Sequence, residues 1–435
     1  MKIVLKNGKI YVIISCIFLF YHKISKNAII YGGKTMKVLV VNAGSSSLKY
    51  QLFDTATYDV VAKGICERIG IDGKITHKMP GRDNYVAEIE MPNHSVATKI
   101  LVDTLVSEEY GCLKSMSEIE AVGHRVVHGG AYFSESVLVT PEVIEKLNKC
   151  IDLAPLHTPA HLMGIEGITN ELPGVPQVLV FDTAFHQTMP DYAWMYPIPY
   201  EMYEKYSIRR YGAHGTSHRF VAGEMCKILG KTEGTKIVTC HIGNGSSISA
   251  VKDGKVIDTS MGFTPLDGVE MGTRCGSIDP AIVTFIMEHE GFTPNEMSDF
   301  MNKKCGFLGV SGISSDSRDI EAAILEGNKR AELAANILAY QVKKYIGMYA
   351  AAMNGLDAVV FTAGMGENNP ELRERACTDM DFLGIKIDNE LNAKTLRQPN
   401  NVKLSTDESK VQVWVLPTNE ELVIASDTEA IVKAL

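Results

Sequence analysis

The sequence predicts a layered α/β protein built from two similar halves. From Met36 onward, short β-branched runs alternate with longer helical stretches, the pattern of strands and helices packed in layers. Residues 38–48, VLVVNAGSSSL, read as strand, Gly/Ser turn and strand, and residues 238–248, VTCHIGNGSSI, repeat that arrangement, which implies internal duplication. The chain has 435 residues, 45% of them hydrophobic and 22% charged, enough apolar material for two or three cores rather than one.

Residues 1–35 read differently: basic, apolar in the middle, and ending before a second methionine, Met36. The apolar run at residues 11–20 is half of the roughly 20 residues that a membrane span needs. Three readings compete: a secretory signal peptide, an interfacial amphipathic arm, or an extension from a mis-assigned start with translation beginning at Met36, which is preferred. Gly33-Lys34-Thr35 is no phosphate loop, because Ala28 stands where that motif needs glycine, and Gly230-Lys231-Thr232 fails likewise at Met225.

Strands are expected at 37–41, 48–53, 121–127, 177–181, 236–241, 247–251 and 357–362, and one long helix at 318–354, closed by Asn354-Gly355. A net charge of -9 repels nucleic acid and anionic membranes, so neither is expected as a partner. Nine scattered cysteines without a C-x-x-C pair favour a reducing, cytoplasmic compartment. The His124/His128 and His214/His218 pairs lack a zinc-site context.

The chemistry concentrates in a few stretches. Residues 42–47 and 243–247 are Gly/Ser turns between strands, where backbone N–H groups and hydroxyls can cradle an anion. Residues 361–368, FTAGMGEN, form a third glycine-rich strand end, ahead of a helix that Asn368 or Asn369 could cap, with Pro370 in its first turn. Arg125 ends an apolar strand and Arg274 sits in a glycine-flanked loop, positions that suit a planar fork for carboxylate or phosphate. Asp182 and Glu420 follow apolar strands, where acids can reach a metal in a crevice.

These strings, with GHRVVHGG, FDTAFHQTMP, RYGAHGTSH, MGTRCGSIDP, SGISSDSRDI and PTNEEL, make residues 36–435 resemble the bacterial acetate kinase family over essentially their whole length. The resemblance implies a duplicated two-domain fold of the actin, sugar-kinase and Hsp70 type with mixed central sheets and an interdomain cleft. It places one domain at 36–184 plus about 421–435, with the final helix packed back onto it, and a nucleotide-binding domain at 185–420. It implies a homodimer that transfers the ATP γ-phosphoryl group to acetate by in-line displacement, with Mg2+ as cofactor, Mn2+ able to substitute, and ATP/ADP as substrates.

Position by position, the resemblance makes Asp182, His214, Arg274 and Arg125 catalytic. Arg125, Val127, Leu156, Ala213 and Pro265 become the acetate pocket. Lys49, Ser45, Ser47, His241, Gly243, Asn244, Gly245, Asp316, Arg318, Gly364, Met365, Gly366 and Asn368 become the nucleotide site, and Asn42 and Glu420 the metal site. Ala213 stands where the pattern often has phenylalanine, Thr158 and His161 alter a loop usually richer in asparagine, and Ser317 replaces a larger residue. A propionate or butyrate kinase is the nearest alternative, and a non-catalytic ATP-dependent binding module is the alternative from another class.

Overall fold

The computed structural model describes residues 2–6, 9–13, 35–155 and 157–435. Met1–Thr35 and Met36–Leu435 are separate units. In the first, Lys2–Lys6 (β1) and Lys9–Ile13 (β2) pair as an antiparallel hairpin; the remainder of the expected leader or arm lies outside the described residues.

Two mixed sheets organise the second unit. The first contains β3 (Lys37–Ala43), β4 (Ser47–Asp54), β5 (Asp59–Glu67), β6 (Lys74–Lys78), β7 (Tyr85–Glu88), β8 (Ala121–Val126), β9 (Val137–Leu138) and β10 (Gln177–Phe181), in the order β7-β6-β5-β4-β3-β8-β10-β9. The second contains β11 (Lys236–Ile242), β12 (Ser246–Lys252), β13 (Lys255–Thr259), β14 (Ala358–Thr362), β15 (Val402–Lys403) and β16 (Gln412–Val415), in the order β13-β12-β11-β14-β16-β15.

The two sheets share one topology. In each, the first three strands form an antiparallel meander, which β6 and β7 extend in the first sheet, and two parallel strands (β8 and β10, or β14 and β16) lie on the other side of the first strand. A short antiparallel strand closes the edge in both. The echo between the two Gly/Ser turns therefore marks a duplicated α/β fold. The sequence reading missed β5 to β7 and β13, whose patterns are only half-buried.

Every residue of β10 and β14 is buried, as expected where helices cover both faces of parallel strands. On the first sheet, Leu101 and Val102 of helix His94–Leu105 pack with Leu39 and Val41, while Ile424 and Ala425 of helix Glu420–Val432 pack with Val40 and Val180 on the other face. A Cβ on Gly123 would lie 2.3 Å from Thr428 Oγ1, so glycine in β8 is what lets the last helix sit this close. On the second sheet, helix Lys329–Met353 covers one face through Leu338 and Val342, and helix Gly215–Leu229 covers the other through Val221 and Met225.

Two expectations need correction. The stretch 318–354 is two helices, Ser317–Leu325 and Lys329–Met353, because Gly327 takes a left-handed φ of 84° and the Asn328 side chain caps Arg330 N and Ala331 N. Apolar periodicity runs through the break and hides it. The glycines after β14 form no loop either: Ala363–Asn368 is itself helical, and Asn369, not Asn368, caps Leu372 N of helix Pro370–Cys377.

Glu270 lies between this core and the Arg274 loop. It is 2% exposed, and neither carboxyl oxygen has a hydrogen-bond partner. Its backbone N–H is held by Gln341 Oε1 at 2.6 Å, and burial raises its pKa from 4.5 to about 8. The native state thus keeps a proton that the unfolded chain releases, so stability drops as pH rises between those two values. In urea unfolding, the midpoint of the parent relative to Glu270→Gln should fall as pH rises from 4.5 to about 8. A gap independent of pH would contradict this.

Candidate active site

The parallel register of β8 and β10 pairs Val180 with Arg125 and Phe181 with Val126, so Arg125 and Asp182 emerge at the same strand ends. There the guanidinium grips the carboxylate with both prongs, Nε to Oδ1 at 3.0 Å and Nη2 to Oδ2 at 2.7 Å. Asp182 is 1% exposed. Glu420, the first residue of the last helix, brings Oε2 to 3.7 Å from Arg125 Nε and accepts a hydrogen bond from Thr216 Oγ1 at 3.1 Å. Burial opposes the Arg125 charge, but Asp182 and Glu420 outweigh it and raise its pKa. Burial, partly offset by Arg125, raises that of Glu420.

Gly215 N donates to the Asp182 carbonyl at 2.8 Å, and a Cβ there would sit 2.1 Å from that oxygen, so only glycine fits. His214 precedes it with φ 58°. Its ring stacks on His241 at 4.1 Å, and its Nδ1 meets Ser247 Oγ at 2.8 Å. Ser247 Oγ also meets His218 Nε2 at 2.7 Å, and His218 Nδ1 meets Thr239 Oγ1 at 2.7 Å. His241 Nδ1 is held by Ser217 Oγ, which Thr418 Oγ1 holds in turn. Burial above all keeps these rings neutral: it drives His214 and His218 far below the ordinary value and His241 to about 3.

Arg274 reaches this cluster from the other side. The place where Gly245 lacks a Cβ is 3.5 Å from both Arg274 Nη1 and His214 Nε2. Arg274 Nη1 donates to the Pro265 carbonyl at 3.2 Å, and burial lowers its pKa. The charges of Arg125 and Arg274 both press on His214 after burial and His241, so the two guanidiniums bear on one imidazole.

The remaining candidates lie on other elements. Asn42 pairs across the strands with Lys49, and Ser45, Ser47 and Lys49 form the first turn, with Ser45 and Lys49 exposed. Gly243, Asn244 and Gly245 form the second, and Gly272 N donates to the Asn244 carbonyl at 3.1 Å. Asp316 caps helix Ser317–Leu325 and pairs with the exposed Arg318. Gly364 lies open on helix Ala363–Asn368, whereas Met365 and Gly366 are buried and Asn368 is occupied by the Gly364 carbonyl and Arg397 N. Beside them an open recess is lined by Ser317, Ile320, Glu321, Leu338, Met365 and Leu372. Ala213 is 3% exposed and packs with Met261 and Met271. Leu156 lies outside the described residues.

Sequence reasoning missed the supporting residues. His214, Ser217 and His218 follow helical i, i+3, i+4 spacing, and Thr239 with His241, like Ser247 with Ser249, alternates on a strand; that spacing was the available signal. His161 was noted only as a departure. It is 3% exposed, its Nε2 accepts from Val127 N at 3.2 Å, and its ring also feels the Ala43 backbone, so it lies between the β8 end and the first turn. Among the described residues no group of three or more His, Cys, Asp or Glu could hold a metal, and no helix is long and apolar enough to cross a membrane.

Comparison with known proteins agrees with the strings noted above. The model of the acetokinase family matches residues 37–426. An acetate kinase of Thermoanaerobacter pseudethanolicus is 59% identical over 403 residues, covering 92% of this chain and 100% of its own. One of Thermotoga maritima is 56% identical over 403 residues, with the same coverage. The crystal structure of Porphyromonas gingivalis acetate kinase superimposes with a TM-score of 0.88 at 51% identity, covering 91% of this chain and 100% of its own. A propionate kinase from Francisella tularensis gives 0.85 at 41% identity, with the same coverage. A family match across nearly all of the second unit, joined to identities above one half, means that the chain belongs to the acetokinase family.

Proposed function

We propose that this protein is an acetate kinase, transferring the ATP γ-phosphoryl group to acetate to give acetyl phosphate and ADP. One observation carries the reading: Arg274 Nη1 and His214 Nε2 each lie 3.5 Å from the place where Gly245 lacks a Cβ, while Asp182, gripped by Arg125, is bonded through its carbonyl to Gly215 N beside His214. Acetate is already an anion at neutral pH and needs no base. Its obstacle is repulsion from the triphosphate, and the transition state spreads charge over three equatorial oxygens. Two guanidiniums and an imidazole aimed at those oxygens stabilise that charge in a partly dry cleft.

The contacts described above support this reading. Both oxygens of Asp182 are engaged by the Arg125 fork, so this acid orients rather than accepts a proton. His214 is neutral, its Nδ1 is taken by Ser247, and its Nε2 is left for the transferring group. Val127 and Pro265 would flank the acetate methyl, with Leu156 and Ala213 completing the pocket. The turns carrying Ser45, Ser47 and Lys49, and His241, Gly243, Asn244 and Gly245, would take the phosphates. Asp316, Arg318 and the helix with Gly364, Met365, Gly366 and Asn368 would hold adenosine, the recess beside Ser317 receiving its base.

Mg2+, or Mn2+ in its place, would supply positive charge to the phosphate oxygens when bound. Hard cations of this kind take one or two carboxylates and keep waters and phosphate oxygens, and the partly buried carboxylate of Glu420, with Asn42 near the end of β3 and the buried Asp182 holding Arg125 in place beside it, would hold one. The homodimer, the cytoplasmic location and the division into 36–184 with 421–435 and 185–420 belong to the same reading.

Propionate is the specific alternative, because Ala213 removes bulk that the pattern often places there, and one methylene is worth only about 1–3 kcal/mol of discrimination.

Trapping acyl phosphate with hydroxylamine in the presence of ATP, Mg2+ and acetate should give product that chelation with EDTA abolishes; no trapped product would end the proposal. Arg125→Ala and Arg274→Ala should each lower kcat at least about 100-fold, as for loss of one charge-stabilising donor. Near-normal turnover in either would contradict its role. Ala213→Phe should raise the acetate-to-propionate ratio of kcat/KM, and an unchanged ratio would remove Ala213 from the pocket.

A further inference from the structure

Two cysteines lie side by side on the loop that carries Arg274. Residues 271–275 and 301–307 are joined by Cys275 N to Met301 O at 3.1 Å, Cys305 N to Thr273 O at 3.0 Å and Phe307 N to Met271 O at 2.9 Å. Thr273 Oγ1 adds a bond to Asn302 O at 2.8 Å. Across this pairing the side chains of Cys275 and Cys305 interact with each other. Cys275 Sγ also lies 3.2 Å from the Gly276 carbonyl oxygen. Both residues are partly exposed, whereas Cys66, Cys150, Cys226, Cys240 and Cys377 are buried. Cys112 is the other partly exposed one among the described residues, and burial raises its pKa.

We propose that Cys275 and Cys305 form a redox modification site, in which a low-molecular-weight disulfide oxidises the pair to an intramolecular disulfide that displaces Arg274 and slows phosphoryl transfer. Cys305 is the attacking sulfur. Its interaction with Cys275 lowers its pKa against the effect of burial, while that of Cys275, whose S–H donates to the Gly276 carbonyl, is raised.

The Cys305 thiolate attacks one sulfur of R–S–S–R, forming a mixed disulfide and releasing R–S⁻, which takes up the proton that Cys305 lost. Cys275, on losing its proton, then attacks Cys305 Sγ and expels the second R–S⁻, which takes that proton. Two protein thiols are oxidised, and one small disulfide is reduced to two thiols. Closing the sulfurs to about 2.05 Å draws residue 275 toward residue 305, and the adjacent Arg274 moves with it.

The effect on turnover rests on the reading of Arg274 given above; the covalent bond does not. Intact enzyme treated with oxidised glutathione and digested with trypsin should yield peptides 275–303 and 305–318 as one linked species, two hydrogens lighter than the separate pair. Turnover should fall at least about tenfold, since ångström-scale misplacement of an orienting group costs up to about 10²-fold, and dithiothreitol should restore it. Cys275→Ser and Cys305→Ser should keep parental turnover and stop responding. Absence of the linked peptides, a link without loss of turnover, or equal loss in Cys305→Ser would overturn the proposal. Normal turnover in Arg274→Ala, with the linked peptides present, would instead refute the reading of the site.

Discussion

A guanidinium held among carboxylates in the interior has to stay charged, oriented and unable to wander, and the Arg125–Asp182 fork meets all three needs. Asp182 is itself buried, and it is fixed at its backbone by Val126 on one side and Gly215 on the other. The parallel pairing of β8 and β10 brings the two residues out at the same ends of neighbouring strands, so sheet register becomes site geometry. Removing the acid would leave the Arg125 charge with Glu420 alone as its carboxylate partner at ion-pair distance. The rest of the site is arranged around this pair: Glu420 arrives on the last helix, Thr216 tethers it, and Gly123 lets that helix lie close enough.

Neutral histidines supply the second layer of order. Burial and neighbouring positive charge keep His214, His218 and His241 uncharged, so each ring can join a chain of hydroxyl hydrogen bonds without burying a new charge. Ser247 shares its hydroxyl between His214 and His218, and Ser217 links His241 to Thr418 beside the last helix. These contacts tie helix Gly215–Leu229 to β11 and β12 and give His214 one orientation.

Duplication explains why the site has two turns of the same kind. Each half sends its first hairpin into a Gly/Ser turn and its next parallel strand into a functional element: β8 ends at Arg125, and β14 feeds directly into helix Ala363–Asn368. The halves then diverge in their supports. The first turn neighbours the buried His161 through Ala43, while the second is closed by Asn244 and the Arg274 loop.

Local chemistry made much of this legible in the chain itself. Strand and turn residues announced both sheets' central hairpins and parallel strands, and arginines among glycines, like acids after apolar runs, marked Arg125, Arg274, Asp182 and Glu420 as candidates, because such residues are costly wherever they lack a use. Half-buried edge strands β5 to β7 left no comparable imprint, and apolar period alone concealed the break at Gly327 and Asn328. What only the tertiary structure decided was convergence: which carboxylate grips Arg125, that His161 reaches Val127, and that Ser247 serves two histidines. Those contacts join residues far apart in the chain, and their existence depends on strand register and helix packing distances that no local pattern encodes.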